Sequence, residues 1–406
     1  MSTLPLAGVR VLDFTWVLIG PQASEYLATL GADVIRIESA VQPDITRRLS
    51  LMKDGVPGLN RNGVFNSVNR GKRSVLLNFG SERGVELTRA LVRAWQPDIL
   101  LENQISGSMA RRGLGYQDIA AIKPDIVYCS MSLLGQTGPE HWYRGWGPNL
   151  QCRTGISWLS GHPHDPVPVA LGGTYPDYNL AGLVVFSALT ALWHRQQTGE
   201  GQHIDFAQNE AVMHTLADAM LDATMNGREL GMNGNREPLF VPQGVYRCAG
   251  TDDWVAISVA DDAAFAALCR VLGQPQLAHD PRFSGVLARA EHHDALDALI
   301  GAWTRERGNR EAQDTLQAAG VTAGAVVDSE QLLTDPQLRA RGFFHTIDHP
   351  EVGPAEYGGW PVHLSDAPTH VARAPLFGEH TREVYAGILG LSDAEIEELT
   401  NAQVIY

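Results

Sequence analysis

Apolar residues in the first 135 positions come in short β-branched clusters, separated by longer stretches whose apolar positions recur every three to four residues. Val9–Phe14 reads as a strand, Pro21–Leu30 as a helix opened by a proline in its first turn, and Val34–Ile37 as the next strand, which together make a βαβ unit. The alternation continues with a strand at Ser74–Leu77 and a helix at Glu82–Ala94, a strand at Ile99–Leu101 and a helix near Tyr116–Ile122, and a last strand at Ile126–Met131. Strands that alternate with helices pair in parallel and are covered on both faces, so the expected class is α/β with a Rossmann-like parallel sheet. Ligands of such sheets bind beyond the carboxyl ends of the strands. The residues at those ends are Thr15, Trp16 and Val17, Glu38, Asn78, and Glu102 with Asn103.

A further apolar stretch, Leu180–Trp193, has the length and composition of a buried helix. Past Gln202 the pattern changes: Ile204–Leu221 reads as a long connecting helix, and residues 226–235 are rich in Gly and Asn. Gly244–Cys248 and Trp254–Val259 form a hairpin, followed by helices at Asp262–Leu272, Glu291–Arg305 and Arg310–Ala319 and a strand near Ala323–Val327. The expected organisation is a large Rossmann-like domain over residues 1–200, a linker at 201–235 and a smaller α+β domain at 236–330. Residues 331–406 then form a return linker and the C-terminal part of the large domain, with a helix near Asp393–Thr400.

At 406 residues and 44% hydrophobic content, the chain can bury the cores of two or three domains. Its formal charge of −15 argues against a nucleic-acid partner, which needs a positive face. An anionic ligand must then meet local cations. Arg70, Lys72 and Arg73 in one loop and Arg111 with Arg112 in another are the clusters available, each also compatible with an ordinary solvated face. Leu180–Trp193 falls short of the ~20 residues that cross a bilayer. The N-terminus lacks the basic region and apolar core of a secretory signal, so a cytoplasmic protein with no membrane partner is expected. Cys129, Cys152, Cys248 and Cys269 lie far apart, with no Cys-x-x-Cys spacing, and read as reduced thiols in or near the core.

The turn after the first strand, Thr15-Trp16-Val17-Leu18-Ile19-Gly20, carries no Gly-x-Gly-x-x-Gly, so nothing signals a dinucleotide. A P-loop and a Gly-x-Ser-x-Gly elbow are also missing, which disfavours an ATPase and a serine hydrolase. His292 and His293 on one helix point about 100° apart and do not readily share an ion. His162, His164 and Asp165 sit among prolines and read as a surface loop, and no metal site is expected.

The segment Gly172–Gly182 places Asp177 in a glycine-rich turn directly ahead of the Leu180–Trp193 helix. One reading is an N-cap, whose carboxylate accepts from the first-turn N–H groups and is worth about 0.5–2 kcal/mol. The other is a carboxylate nucleophile oriented by those same groups. The local residues leave both open. Beyond the helix the chain runs Arg195-Gln-Gln-Thr-Gly-Glu-Gly-Gln202. This order of Tyr-Pro-Asp, helix and Arg-x-x-Thr-Gly-x-Gly-Gln closely resembles the class III coenzyme A transferases, the family of formyl-CoA and carnitine-CoA transferases, which also holds the α-methylacyl-CoA racemases. The resemblance runs nearly end to end: Leu6–Phe14, Gly20-Pro21 and Leu30–Glu38 look like the family's opening, and Asn69–Ser74, Glu102-Asn103, Gly135–Pro139 and Ala374–Val384 extend it.

The resemblance implies an enzyme that moves coenzyme A between an acyl-CoA thioester and a free carboxylic acid. Asp177 matches the covalent nucleophile, no cofactor is permanently bound, and coenzyme A enters as part of the substrate. Val17, Leu77, Asn103, Arg111 and Arg144 match positions that line the coenzyme A cleft. Asn103 would face the pantetheine or an acyl oxygen, Leu77 the adenine, and Arg111 and Arg144 the phosphates. By residue type alone, Leu77 also reads as a core strand residue and Asn103 as a strand terminator. Backbone N–H groups near Gly172 and Gly173, or at the helix start, are candidate donors for the tetrahedral oxyanion. The family's arrangement further implies an interlocked homodimer, which sequence physics alone does not suggest because threaded loops are rare.

The departures bear on specificity. Leu18 stands where formyl-CoA transferase has a glutamine, Ser39 where it has an arginine, and Pro238–Gly244 where it has a tetraglycine loop. Trp16, Leu18, Ile19 and Trp146 imply a larger, more apolar acyl pocket, so formate and oxalate are not the expected substrates. In the racemase branch a His from a Gly-His-Asp segment is the base, and here Trp146 occupies that place in Gly145-Trp146-Gly147. An indole takes no proton at neutral pH, which favours transfer over racemisation. A non-catalytic acyl-CoA-binding protein is a third reading, and it leaves Asp177 without a purpose.

Overall fold

The β-branched runs of the N-terminal region become parallel strands: β1 (Arg10–Phe14), β2 (Asp33–Glu38), β3 (Arg73–Leu76), β4 (Ile99–Glu102) and β5 (Val127–Ser130). With β6 (Gln202–Asp205) they form a six-stranded parallel sheet of order β3-β2-β1-β4-β5-β6 in the computed structural model, which describes residues 3–165, 167–172, 174–237 and 239–406. The strand order reverses at β1, and this switch point opens a crevice at the carboxyl ends of β1 and β4. Every residue of β4 and β5 is buried, as continuous apolar runs require when helices cover both faces. On one face Val11, Ile99 and Val127 pack against helices Ile19–Thr29 and Tyr175–Thr198 through Ala23, Leu27, Ala181, Val184 and Ala188. On the other, Leu12, Ile35, Leu100 and Tyr128 meet Leu87 and Leu91 of helix Glu82–Trp95 and the C-terminal Val384, Tyr385, Ile396 and Val404.

This sheet belongs to a unit made of Met1–Ile156, Ala170–Gly227 and Gly342–Tyr406. A second unit, Ser157–Val169 with Arg228–Arg341, holds an antiparallel sheet of β7 (Gln243–Arg247), β8 (Trp254–Ser258) and β9 (Thr322–Val326). Val255, Ile257, Phe265, Leu268, Ile300 and Leu316 form its core.

Several elements differ from the sequence expectation. The stretch read as one helix over Ile204–Leu221 begins in β6 and then forms two helices, Gln208–His214 and Ala217–Asn226. β6 is an edge strand, only half covered, and offers no apolar run to read. The helix expected from Leu180 starts at Tyr175. Residues 331–406 contain a hairpin, β10 (Phe344–His349) with β11 (Gly353–Gly358), which was read only as linker. Cys152 is exposed, unlike the other cysteines, because its helix buries Leu150 and Gln151 instead.

A buried cluster of charges lies behind the switch point. Arg36, 1% exposed, meets Asp44 at 2.5 Å, Asp13 at 3.6 Å and Glu38 at 3.9 Å. Arg47 clamps Glu38 with two hydrogen bonds of 2.7 Å, and Lys72 reaches Asp13 at 3.3 Å. Burial alone would raise the carboxyl pKa values. Lys72 and Arg36 nevertheless hold Asp13 below its ordinary value, and Arg47 does the same for Glu38. Arg70 pairs with Glu25 and Arg73 with Asp33, at 2.7 Å and 2.6 Å. The expected phosphate-facing rim of Arg70, Lys72 and Arg73 is therefore corrected: buried Glu25 and Asp13 take up Arg70 and Lys72, and surface Asp33 and Glu383 take up Arg73.

Removing Arg36 would leave Asp13, Glu38 and Asp44 buried around a missing charge. Arg36→Ala is expected to lower stability by roughly 3–5 kcal/mol in urea unfolding, and a loss below about 1 kcal/mol would show that the cluster does not hold this end of the sheet.

Candidate active site

At the switch point the chain leaves β1 through Thr15, Trp16 and Val17 before helix Ile19–Thr29 begins. Asp13 accepts from the N–H and hydroxyl of Thr15 at 2.8 and 2.5 Å, and Asp44 accepts from the Val17 N–H at 3.1 Å. Val17 has φ of 67°, a left-handed conformation that is costly for a β-branched residue and persists only when its surroundings enforce it. Asn103, just past β4, holds the turn from the other side. Its Oδ1 accepts from the Trp16 N–H and its Nδ2 donates to the Trp16 carbonyl, both at 2.7 Å.

Helix Tyr175–Thr198 takes Thr174 as its N-cap and carries a proline in the first turn. Asp177 therefore lies inside that turn, with its own N–H donating to the Thr174 carbonyl at 2.9 Å, and the N-cap reading is set aside. The residue is 7% exposed, and its Oδ2 has no hydrogen-bond partner among the described residues. Burial raises the carboxyl to about 6, against a lowering by its own backbone N–H. The turn at Gly147 lies directly against it, since a Cβ there would stand 2.2 Å from Asp177 Oδ2. Only glycine leaves that space.

A cleft of about 710 Å³ opens at this carboxylate. Asp177 lines it together with Trp16, Val17, Leu18, Ile19 and Asn103 from the switch point, Phe79 from beyond β3, Ser132 and Gln208 from beyond β5 and β6, and Arg144 and Trp146. A more open hollow of about 1030 Å³ shares Ser108, Arg112, Tyr143 and Arg144 with it and adds Arg111 and Trp142. Arg111 and Arg144 are exposed and make no ion pair among the described residues, whereas Arg112 donates to Ser108.

The structure thus brings Asp177, Val17, Asn103 and Arg144 into one cleft and puts Arg111 in the adjoining hollow. Leu77 is elsewhere. It is 0% exposed and packs in the sheet core with Phe14, Ile37 and Val75, so it offers an adenine ring no surface, and Phe79 is the apolar residue past β3 that reaches the cleft. Ser132 and Gln208 also escaped the sequence reading. The strand-end rule would have found Ser132 had it been carried on to β5, but Gln208 depends on β6, which the pattern did not show. Gly173 and Pro238 lie outside the described residues.

A family model described as CoA-transferase family III matches residues 6–381. The chain belongs to that family. Among curated relatives, this CoA-transferase is 33% identical to a formyl-CoA:oxalate CoA-transferase of Streptomyces coelicolor, over 100% of both chains. It is 31% identical to a succinyl-CoA–D-citramalate CoA-transferase of Chloroflexus aurantiacus, over 99% of this chain and 98% of that one. Among solved structures, a CAIB/BAIF family protein from Brucella suis superposes with a TM-score of 0.85 at 32% identity, covering 96% of this chain and 100% of that one. The protein is an enzyme of the class III CoA-transferase type, a family that works on acyl-CoA.

If the reaction runs through the Asp177 carboxylate, only its ionised form can attack, and CoA transfer is expected to fall as pH drops through about 6, the value to which burial raises this group. The same shift weighs on stability. The folded carboxyl titrates above the unfolded one, so the stabilisation from its protonated form is complete below pH 3.8 and is lost as pH rises through about 6. That loss is on the order of 3 kcal/mol. A kcat–pH profile checks the prediction, and a rate unchanged across that range would place the titrating group elsewhere.

Proposed function

We propose that this CoA-transferase moves coenzyme A between an acyl-CoA thioester and a free carboxylic acid through covalent intermediates on Asp177. The observation that carries the reading is the buried Asp177 Oδ2, unpartnered among the described residues in a cleft lined by Arg144 and adjoined by a hollow that holds Arg111. A buried carboxylate oxygen left without a hydrogen bond is poorly stabilised and correspondingly reactive.

An Asp177 oxygen attacks the thioester carbonyl, the C–S bond breaks, and an aspartyl–acyl anhydride forms with the CoA thiolate as leaving group. The thiolate attacks the aspartyl carbonyl and expels the donor acid as its carboxylate, which leaves an aspartyl-CoA thioester. The acceptor carboxylate attacks that carbonyl, expelling the thiolate and forming a second anhydride. Capture of the acceptor's acyl carbon by the thiolate gives the new acyl-CoA and restores Asp177. Val17 and Asn103 would flank the pantetheine, and the free guanidinium groups of Arg111 and Arg144 would meet phosphates. Trp16, Leu18, Ile19 and Trp146 around the carboxylate favour acyl groups larger than formyl. A cytoplasmic location belongs to the same reading, and no helix among the described residues is long and apolar enough to cross a membrane.

We also propose a homodimer, interlocked through the linkers as the family resemblance implies. Within helix Tyr175–Thr198 the stretch Leu180–Trp193 is predominantly apolar, and Leu183, Phe186 and Trp193 are 42%, 66% and 66% exposed. A second copy of the chain would cover them. Sedimentation should then give a dimer that persists on dilution, and a monomer that grows as the protein is diluted would reject the threaded arrangement.

Incubation with a panel of CoA thioesters followed by hydroxylamine should convert Asp177 to a hydroxamate, seen by mass spectrometry on its peptide. Asp177→Asn should lose exchange by several orders of magnitude while remaining folded. Within the panel, formyl-CoA with oxalate should be a poorer pair than bulkier ones. An active Asn variant free of deamidation, or a label that never reaches the Asp177 peptide, would sink the nucleophile assignment.

A further inference from the structure

A tetrahedral intermediate at the thioester carbon needs a hydrogen-bond donor already in place for its oxyanion. Buried hydroxyls in this unit are otherwise committed: Ser24 donates to Asp13 at 2.6 Å, Thr88 to the Gly84 carbonyl at 2.9 Å, and Ser130 bonds His203 at 3.0 Å. Ser132 is the exception. Its Oγ is the one buried hydroxyl oxygen without a hydrogen-bond partner among the described residues, the residue is 4% exposed, and it borders the same cleft as Asp177.

The two unpartnered groups complement each other, since a carboxylate only accepts and a hydroxyl can donate. Leaving a buried hydroxyl unpaired costs about 1–3 kcal/mol, so a site that keeps two such groups open calls for an explanation. The backbone around Ser132 is tied on every side. Met131 N–H donates to the Glu102 carbonyl at 2.8 Å, Gln208 N–H donates to the Ser132 carbonyl at 3.2 Å, Gln208 Nε2 donates to the Met131 carbonyl at 3.0 Å, and Asn209 N–H donates to the Leu133 carbonyl at 3.0 Å. The hydroxyl is therefore carried by a frame that does not need to reorganise during the reaction.

We infer that Ser132 is a further catalytic residue, whose hydroxyl donates to the carbonyl oxygen of the acyl group as Asp177 adds to it. The inference rests on the transfer reading of Asp177. As the new C–O bond forms, the carbonyl π pair moves onto oxygen and is held by the Ser132 hydroxyl. When the intermediate collapses, that pair re-forms the carbonyl and the thiolate leaves with the C–S pair. Ser132 keeps its proton throughout.

The test is exchange between a CoA thioester and its own carbon-13-labelled acid, for acetyl-, butyryl-, succinyl- and benzoyl-CoA. On the thioester the wild type exchanges fastest, Ser132→Ala should lower kcat by about 10²-fold with KM for the thioester little changed, because the oxyanion exists only in the transition state. Ser132→Cys, nearly isosteric but a weak donor, should fall similarly and carries the test if the Ala variant does not fold; Ser132→Thr, which keeps the hydroxyl, should retain more activity than either. Wild-type kcat in the Ala and Cys variants alongside a silent Asp177→Asn, or an effect confined to KM, would overturn the role of Ser132 alone. No exchange by the wild type on any of these thioesters, or full exchange by Asp177→Asn, would overturn the transfer reading and this inference with it.

Discussion

Arg36 sits between Asp13 and Asp44, and the shape of the active cleft depends on that buried bridge. Both carboxylates have a second task. Asp13 holds Thr15 and Ser24, and Asp44 holds the Val17 N–H, so the charges that neutralise Arg36 also fix the turn forming the cleft wall. Neither acid can relax to suit the turn without exposing a guanidinium in the protein interior, where an unpaired charge is costly. That constraint explains how Val17 is kept in a left-handed conformation that its side chain disfavours. It also explains why Lys72, read in the sequence as part of an anion-facing cluster, belongs with Arg47 to the scaffold.

Beyond the turn, the cleft separates two electrostatic environments. Asp177 is buried against the glycine turn at Gly147 and titrates high, whereas Arg111 and Arg144 lie at the surface. Burial makes ionisation of this carboxylate unfavourable to folding, so the ionised form that the proposed transfer needs is opposed by stability. The exposed arginines have the opposite character: they are hydrated, stand against an acidic background, and are suited to drawing in an anion.

Much of the sheet was legible along the chain because β4 and β5 are buried throughout and β1 to β3 bury most of their residues, which leaves short apolar runs at each strand. β6 and the β10–β11 hairpin escaped for the complementary reason. Half-covered strands need no apolar run, so their pairing leaves little trace in composition. Of the residues that the family resemblance singled out, Asp177, Val17, Asn103 and Arg144 line one cleft, while the side chain of Leu77 completes the core. Distinguishing Leu77 from Phe79 requires knowing which of two nearby apolar residues the sheet buries.

The sequence by itself determined a parallel α/β sheet and pointed to a cleft at the carboxyl ends of its strands, and the family resemblance singled out one aspartate before a long helix. The first two follow from local information, hydrophobic period and strand-end position, and the third from the order of short motifs along the whole chain. The tertiary structure alone decided that Asp177 is not a helix cap, that Arg70, Lys72 and Arg73 are each paired with a carboxylate, and that the Ser132 hydroxyl is left open. These are properties of pairs far apart in the chain, such as Lys72 with Asp13 or Trp16 with Asn103, and of partners that never arrive. Periodicity reports which residues leave water, but only the folded arrangement sets what each polar group meets once it is buried.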